Sequence, residues 1–234
     1  MANNTQIEWT EATWNPVTGC TKISDGCKNC YAERMALRLK AMGNTKYRNG
    51  FEVQIHKNDL EIPYGWKKPR MVFVNSMSDL FHEEIPLSFV EDVFRVIKDN
   101  KRHTFQILTK RPERLNMVES HLNWPENLWL GVTVESRKYC SRIDELRVTK
   151  ARLKFISFEP LLGDIGTFDL DNIDWVIVGG ESGLRCRPMH RDWVLNVLSQ
   201  CRAREVPFFF KQWGGRRKNE EGRLLDGKVY DYFP

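Results

Sequence analysis

The sequence holds no run of about 18 apolar residues, which removes a hydrophobic bilayer span from consideration. Its opening stretch, MANNTQIEWTEATW, has no basic segment leading into an apolar one, so no secretory signal is expected and the expected compartment is the reducing cytoplasm. No low-complexity or linker-like stretch divides the 234 residues, and one domain with a single core is the expectation. The excess of positive charge is only +5, well short of the dense basic face of an obligate nucleic-acid binder. Basic clusters do occur in GWKKPR, DNKRH, TKRPER and GGRRK, where solvated element ends are the plain explanation. Histidine is scarce: there are five, and none shows the H-x3-5-H spacing of a zinc finger.

Apolar runs recur in MVFVNSMSDLF, TFQILTKRP, LWLGVTVES, LKFISFEPLLG, WVIVGGESG and PFFFKQWGG. Near-continuous Val, Ile, Leu and Phe predicts strands buried on both faces of a parallel sheet. A further short strand is expected at FEVQI. Amphipathic helices are predicted over 30–43, 87–101, 111–122, 136–148 and 190–205, with Ser88 and Ser136 as candidate N-caps. Strand onsets lie roughly 21 to 34 residues apart, room for a crossover helix each time. The fold class is therefore α/β. The chain is short for a complete eight-fold barrel, so an incomplete parallel (βα)6-type TIM barrel over 1–215 is expected, with a small C-terminal extension over 216–234. Asp226-Gly227 predicts a two-residue turn in that extension.

Cysteine is unevenly spent. Cys20, Cys27 and Cys30 stand within eleven positions as C-x6-C-x2-C, while Cys140, Cys186 and Cys201 are scattered. A structural zinc site takes four ligands, and neither a second C-x2-C pair nor a suitably spaced histidine accompanies these three; His56 and His82 are the nearest. Three thiolates suit a [4Fe-4S] cluster with one iron left open, in a loop spanning 19–31. A zinc-stabilised nucleic-acid-binding module without catalysis is the alternative. The loop TKISDG must bulge before Cys27, and Gly19 and Gly26 are expected to supply positive-φ turns. Polar residues crowd the predicted strand ends, where parallel βα proteins keep their chemistry: Asn75, Ser76, Ser78 and Asp79; Lys110; Glu135 and Ser136; Glu159; Gly179, Gly180 and Glu181.

The text NPVTGC…GCKNCYAER resembles the radical S-adenosylmethionine (radical SAM) superfamily, and more narrowly its spore-photoproduct-lyase-like branch. NSMSDLFHEEIP and ILTKRPERL follow in the same order as that branch's strand-end segments, so the likeness covers roughly residues 14 to 136. The whole chain also resembles an uncharacterised phage-encoded family with GGESG and FFKQWG endings. The first cysteine gap of six residues departs from the superfamily's usual three.

The resemblance implies a cluster on Cys20, Cys27 and Cys30 that binds S-adenosylmethionine (SAM) and cleaves it reductively for hydrogen abstraction. It places Asn75, Ser76, Ser78 and Asp79 at the amino end of SAM, Lys110 at its carboxylate, and Glu135 and Ser136 at its ribose. Tyr31, Glu159, Gly179, Gly180 and Glu181 complete the expected cofactor surroundings, the GGESG glycines by close backbone approach. Cys186 is a candidate late hydrogen donor; Cys140 is expected to be a buried small hydrophobe. The implied substrate is a nucleic-acid base, lesion or nucleotide met at a rim of Lys110, Arg111, Lys211, Trp213, Arg216 and Arg217. The implied electron donor is a small reductant such as flavodoxin or ferredoxin, a partner protein could complete the site, and no membrane is involved.

Overall fold

The structure is a computed structural model that describes residues 5, 7–217 and 222–234. Residues 1–4 and 6 of the expected leaderless start, and 218–221 of the expected extension, lie outside the described residues. Nine strands are present among the described residues: β1 Ala12–Trp14, β2 Val17–Thr18, β3 Gln54–Ile55, β4 Met71–Val74, β5 Thr104–Thr109, β6 Leu128–Thr133, β7 Leu153–Phe158, β8 Trp175–Gly179 and β9 Phe208–Gln212. Five α-helices join them: α1 Tyr31–Ala41, α2 Leu87–Asp99, α3 Pro112–Val118, α4 Ser141–Arg147 and α5 Arg191–Ala203. Seven strands share one sheet in the order β1-β4-β5-β6-β7-β8-β9, and β2 pairs antiparallel with β3 at FEVQI. The pairs β1–β4, β4–β5, β7–β8 and β8–β9 are all parallel.

The α/β class and the parallel pairing match expectation, with two departures from a six-fold βα repeat. The sheet gains β1, whose three residues are too few to show as an apolar run. The β7–β8 connection carries no α-helix. Ser88 is also not a cap: α2 starts at Leu87, and the residue before it is Pro86, in extended backbone (φ −60°, ψ 143°).

The chain forms two compact units: Met1–Ile23 with Cys30–Leu130 and Thr149–Arg152, and Ser24–Asn29 with Gly131–Val148 and Leu153–Pro234. The division falls within β6. In the first unit, the expected stripe of α2 (Phe89, Val90, Val93, Phe94, Val96 and Ile97) is buried throughout. Phe94 meets Trp124 edge to face at 5.5 Å. Beneath lie Trp14, Val72, Val74, Phe105 and Ile107, and the Trp14 indole donates to the Asp59 carbonyl at 2.7 Å, which satisfies its one polar atom.

In the second unit, the C-terminal tail returns along β9. The Phe210 N–H donates to the Tyr230 carbonyl at 2.7 Å, and Phe209 bridges antiparallel to Asp231. Phe233 packs against Trp175 and Phe209, and the Trp175 indole donates to the Tyr232 carbonyl. The tail thus covers the edge strand, which would otherwise offer unpaired backbone groups to another chain. Its turn is the expected one: Asp226 and Gly227 both have positive φ, and Leu225 and Lys228 exchange backbone hydrogen bonds.

The loops after β8 and β9 lie backbone to backbone. Gly180 N–H donates to Gln212 O, Gly183 N–H to Gly215 O, and Gly215 N–H to Glu181 O. A Cβ on Gly180 would lie 1.8 Å from the Trp213 carbonyl oxygen. The clash is with backbone, so no rotamer change relieves it. Gly180→Ala is expected to lower unfolding stability by about 1–3 kcal/mol, the range of overpacked sites, read as a shifted midpoint in chemical denaturation.

Candidate functional site

In the first unit the start of the cysteine stretch is fixed by backbone. Gly19 has φ +85°, as expected, and donates to the Met77 carbonyl at 3.0 Å; a Cβ there would lie 2.0 Å from the Glu52 carbonyl oxygen. Cys20 N–H donates to Phe51 O at 3.2 Å. Thr21 Oγ1 meets His82 Nε2 and the Arg111 guanidinium, each at 2.8 Å, and Arg111 also pairs with Glu83. His82 Nδ1 accepts from Glu84 N–H, so the ring proton sits on Nε2 and donates to Thr21. Both nitrogens are thereby engaged. Cys30 stands directly before α1 and packs beside Ala32, Ala36, Tyr47 and Met77. Tyr31 turns outward, 61% exposed.

The loop after β4 brings together four of the expected cofactor residues. Ser76 Oγ donates to Asn15 Oδ1 and Ser78 Oγ to the Val17 carbonyl, tying this loop to the segment that leads into the cysteines. Asp79 is saturated: Oδ1 accepts from Thr109 Oγ1 and Phe81 N–H, and Oδ2 from Lys110 N–H. Asn75 is 4% exposed and holds a left-handed φ of 60°. Its Oδ1 accepts from Val17 N–H, while its Nδ2 is buried with no hydrogen-bond partner among the described residues. The Oδ1 contact and the backbone bonds to Trp14 O and from Ser78 N–H give Asn75 a structural use, while its buried Nδ2 donor stays unspent.

In the second unit, residues 24–29 are pinned to the ends of β6 and β8. Ser24 Oγ donates to Glu135, Asp25 N–H to the Tyr139 hydroxyl, and Asn29 Nδ2 to Glu181 Oε2 and Arg185 O, while Arg187 donates to Asp25 O. Cys27 closes a short 3-10 turn through its N–H to Ser24 O at 2.9 Å. Gly26 does not take the expected positive φ. It is required for space instead, since a Cβ would lie 2.6 Å from the Glu135 side chain.

The strand-end carboxylates each carry a cation. Glu135, fully buried, pairs with Arg142 at 2.9 Å; Glu159 pairs with Lys211; Glu181 pairs with Arg187 at 2.6 Å. Burial works to raise the Glu181 pKa, but the hydrogen bonds from Arg187 and Asn29 outweigh it and hold the carboxyl below its usual range. In the Gly179–Gly180 turn, Gly179 faces the Glu159 and Lys211 side chains and Gly180 the Trp213 backbone. Ser136 precedes the 137–139 turn without a side-chain cap bond. Cys186 is half-buried, its N–H donating to Gly183 O. Cys140 is half-buried rather than fully buried, and desolvation raises its thiol pKa. Cys201, fully buried, is pushed up to about 12 and is inert. Among the described residues no cysteine forms a disulfide.

Sequence reasoning missed Asn29, Arg142 and Arg187, all partners of strand-end acids. Only Asn29 carried a local signal, its place between two cysteines.

His56, His82 and His103 all have lowered pKa values, in each case chiefly from desolvation, with neighbouring cations (Lys46, Arg111, and Arg102 with Arg70) adding to it. The unfolded chain therefore takes up protons first as pH falls through the ordinary histidine value of about 6.5. Stability is expected to be level above that value and to fall below it. Urea midpoints at pH 7.5 and 5.5 check this; equal midpoints would contradict it.

Fold and site together define an α/β protein of parallel strands with a three-cysteine stretch between its first strands and its first helix. The chain belongs to the family described as "Protein of unknown function (DUF5131)", whose model matches residues 4–234. No curated protein and no solved structure matches the chain. Among the described residues no helix is long and apolar enough to cross a membrane.

Proposed function

We propose that the chain is a radical SAM-type enzyme on an incomplete (βα)6-type barrel, acting on a nucleic-acid base, lesion or nucleotide in a reducing, cytoplasmic setting. Cys20, Cys27 and Cys30 would hold a [4Fe-4S] cluster whose open iron takes SAM. The observation that carries this reading is the three-thiol stretch itself. Its backbone is held at residues 19, 20, 24, 25 and 27 by hydrogen bonds, while its three thiols stay half-buried.

The donor set fits such a cluster by its chemistry: thiols in no disulfide, closely spaced in sequence, with Nε2 of His56 and both ring nitrogens of His82 already engaged. With side chains as they stand, no group of three or more His, Cys, Asp or Glu among the described residues is arranged to hold a metal ion, so the fit rests on donor identity and spacing. When bound, cluster and SAM supply one-electron sulfonium cleavage and hydrogen abstraction.

The chain's own groups then divide their work. Asn75 offers its unspent Nδ2 to an acceptor on the cofactor, and Lys110 offers a compact charge to a carboxylate. Ser76, Ser78 and Asp79 hold the shape of the loop that presents Asn75. Glu135 serves as a buried anchor for Ser24. Cys186, half-buried, is kept as the candidate hydrogen donor. A small flavodoxin- or ferredoxin-like reductant would supply the electron.

Anaerobic purification with iron, sulfide and zinc analysis tests the reading, with about four irons and four sulfides per chain expected. Dithionite and SAM should then give 5′-deoxyadenosine. One zinc and no iron would replace the enzyme with a zinc-stabilised binding module.

A further inference from the structure

Two of the basic clusters in the sequence lie 30 residues or so apart yet share one place in the fold of the first unit. Lys67, Lys68 and Arg70 lead into β4, and Lys101 and Arg102 lead into β5. These strands pair in parallel with Met71 opposite Thr104, and Thr104 N–H donates to Arg70 O at 2.9 Å, so the two runs emerge side by side at the amino ends of neighbouring strands. The chemistry-bearing residues of the unit stand at the opposite, carboxyl ends.

The patch is rigidly built. Trp66 meets His103 edge to face at 5.5 Å, and Arg70 stacks over Trp66 at 5.6 Å. Asn127 Nδ2 donates to the carbonyls of Ile97, Asn100 and His103, fixing the turn that carries Lys101 and Arg102. Both Arg70 and Arg102 bear electrostatically on His103, which places the two runs within each other's field.

Lys67, Lys68, Lys101 and Arg102 are all exposed, and no ion pair among the described residues involves any of them. Two nearby acids are otherwise engaged: Asp99 accepts from the Tyr64 hydroxyl at 2.8 Å and Glu11 from Met71 N–H at 2.8 Å. A helix-end or strand-end explanation accounts for one or two cations. It does not account for four unpaired ones gathered from two runs on a braced surface.

We propose that Lys67, Lys68, Lys101 and Arg102 form a docking surface for the phosphate backbone of double-stranded nucleic acid, read without regard to sequence. Compact cations on a fixed frame match evenly spaced phosphates. A stacking platform for unpaired bases is missing, because Trp66 is already covered by His103 and Arg70. An anchor for bilayer insertion is missing too, since Tyr64, the exposed large ring beside the patch, is tied to Asp99. The proposal does not depend on the cluster chemistry above.

Fluorescence anisotropy of the full chain with a labelled duplex of about 20 base pairs tests it over 50–300 mM salt. The expected slope of log K against log salt is roughly −3 to −4, about 0.9 for each of four contacts, with roughly a hundredfold weakening from 50 to 200 mM. A second duplex of unrelated sequence should bind equally. Lys67→Glu with Lys68→Glu, and Lys101→Glu with Arg102→Glu, should each flatten the slope by about 1.8 and weaken binding at least tenfold, with unchanged thermal midpoints. The neutral pairs to Gln, expected to flatten the slope similarly, serve if a reversal pair fails to fold.

Cys27→Ala should bind duplex like the parent, and the patch variants should keep the parent's iron content, so failure here and failure of the enzymatic reading are distinguishable. Absence of duplex binding at 50 mM salt, parent-like binding by both reversal pairs, or binding to phosphatidylserine vesicles without binding to duplex would each overturn the proposal.

Discussion

Cys27→Ala purified without oxygen is expected to carry almost no iron where the parent carries about four per chain, while unfolding within about 1 kcal/mol of the parent. The first half follows from ligand number, since a three-thiolate site that loses one thiolate retains too few anchors for a cubane. The second follows from what holds the turn. Cys27 contributes its backbone N–H to Ser24 O, and that bond survives the substitution. The Cys27 sulfur meets Ser24 Oγ at 3.5 Å, a weak contact, while Ser24, Asp25 and Asn29 are held more firmly by Glu135, by Tyr139 with Arg187, and by Glu181. Iron loss would therefore report ligation and not collapse of the turn. Cys140→Ala and Cys201→Ala are the controls: both thiols have raised pKa values from burial, so both variants should keep the parent's iron. A Cys27→Ala protein with a full complement of iron and sulfide would remove that residue from the ligand set.

The parts of the fold that could be read in the sequence are those where one physical signal dominates. Six strands announced themselves because burial on both faces demands unbroken apolar runs, and the helical stripe of α2 is reproduced residue for residue. β1 gave no such signal. Ala12–Trp14 is three residues long, and its pairing with β4 is a tertiary fact. The cysteines were visible by spacing, but the groups that brace them were not. Asn29 and Glu181 lie 152 positions apart, and Ser24 and Glu135 lie 111 apart, so no local pattern can join them. Gly26 and Gly180 show why a residue type can be noticed and its reason misjudged. Positive φ and close approach both select glycine, and only coordinates show that these two make room for Glu135 and for the Trp213 backbone. The polar strand ends likewise stand out in the sequence as candidate ligands, whereas three of their carboxylates are matched by Arg142, Lys211 and Arg187 from elsewhere in the second unit.

Arg142→Met should be among the most destabilising single changes in the second unit, costing about 3–5 kcal/mol. Glu135 has no exposed surface, and its two oxygens are served by Ser24 Oγ and by the Arg142 guanidinium, which also donates to the Thr133 carbonyl at 2.8 Å. Removing the cation takes the directly paired counter-charge from a carboxylate in low dielectric, and takes that donor from the Thr133 carbonyl. Methionine fills much of the volume, so the loss is electrostatic and not a cavity. The penalty belongs to the stranded charge, and neutralising that charge should recover part of it: Glu135→Gln with Arg142→Met is expected to be more stable than Arg142→Met alone, a non-additive coupling read from urea midpoints of the four proteins in the cycle. Because Ser24 leans on the same carboxylate, the single variant should also loosen residues 24–29, seen as faster amide exchange at Cys27. Additive midpoints across the cycle, or an Arg142→Met protein as stable as the parent, would mean that Glu135 is not held as a buried charge and that the turn bearing Cys27 is braced by other contacts.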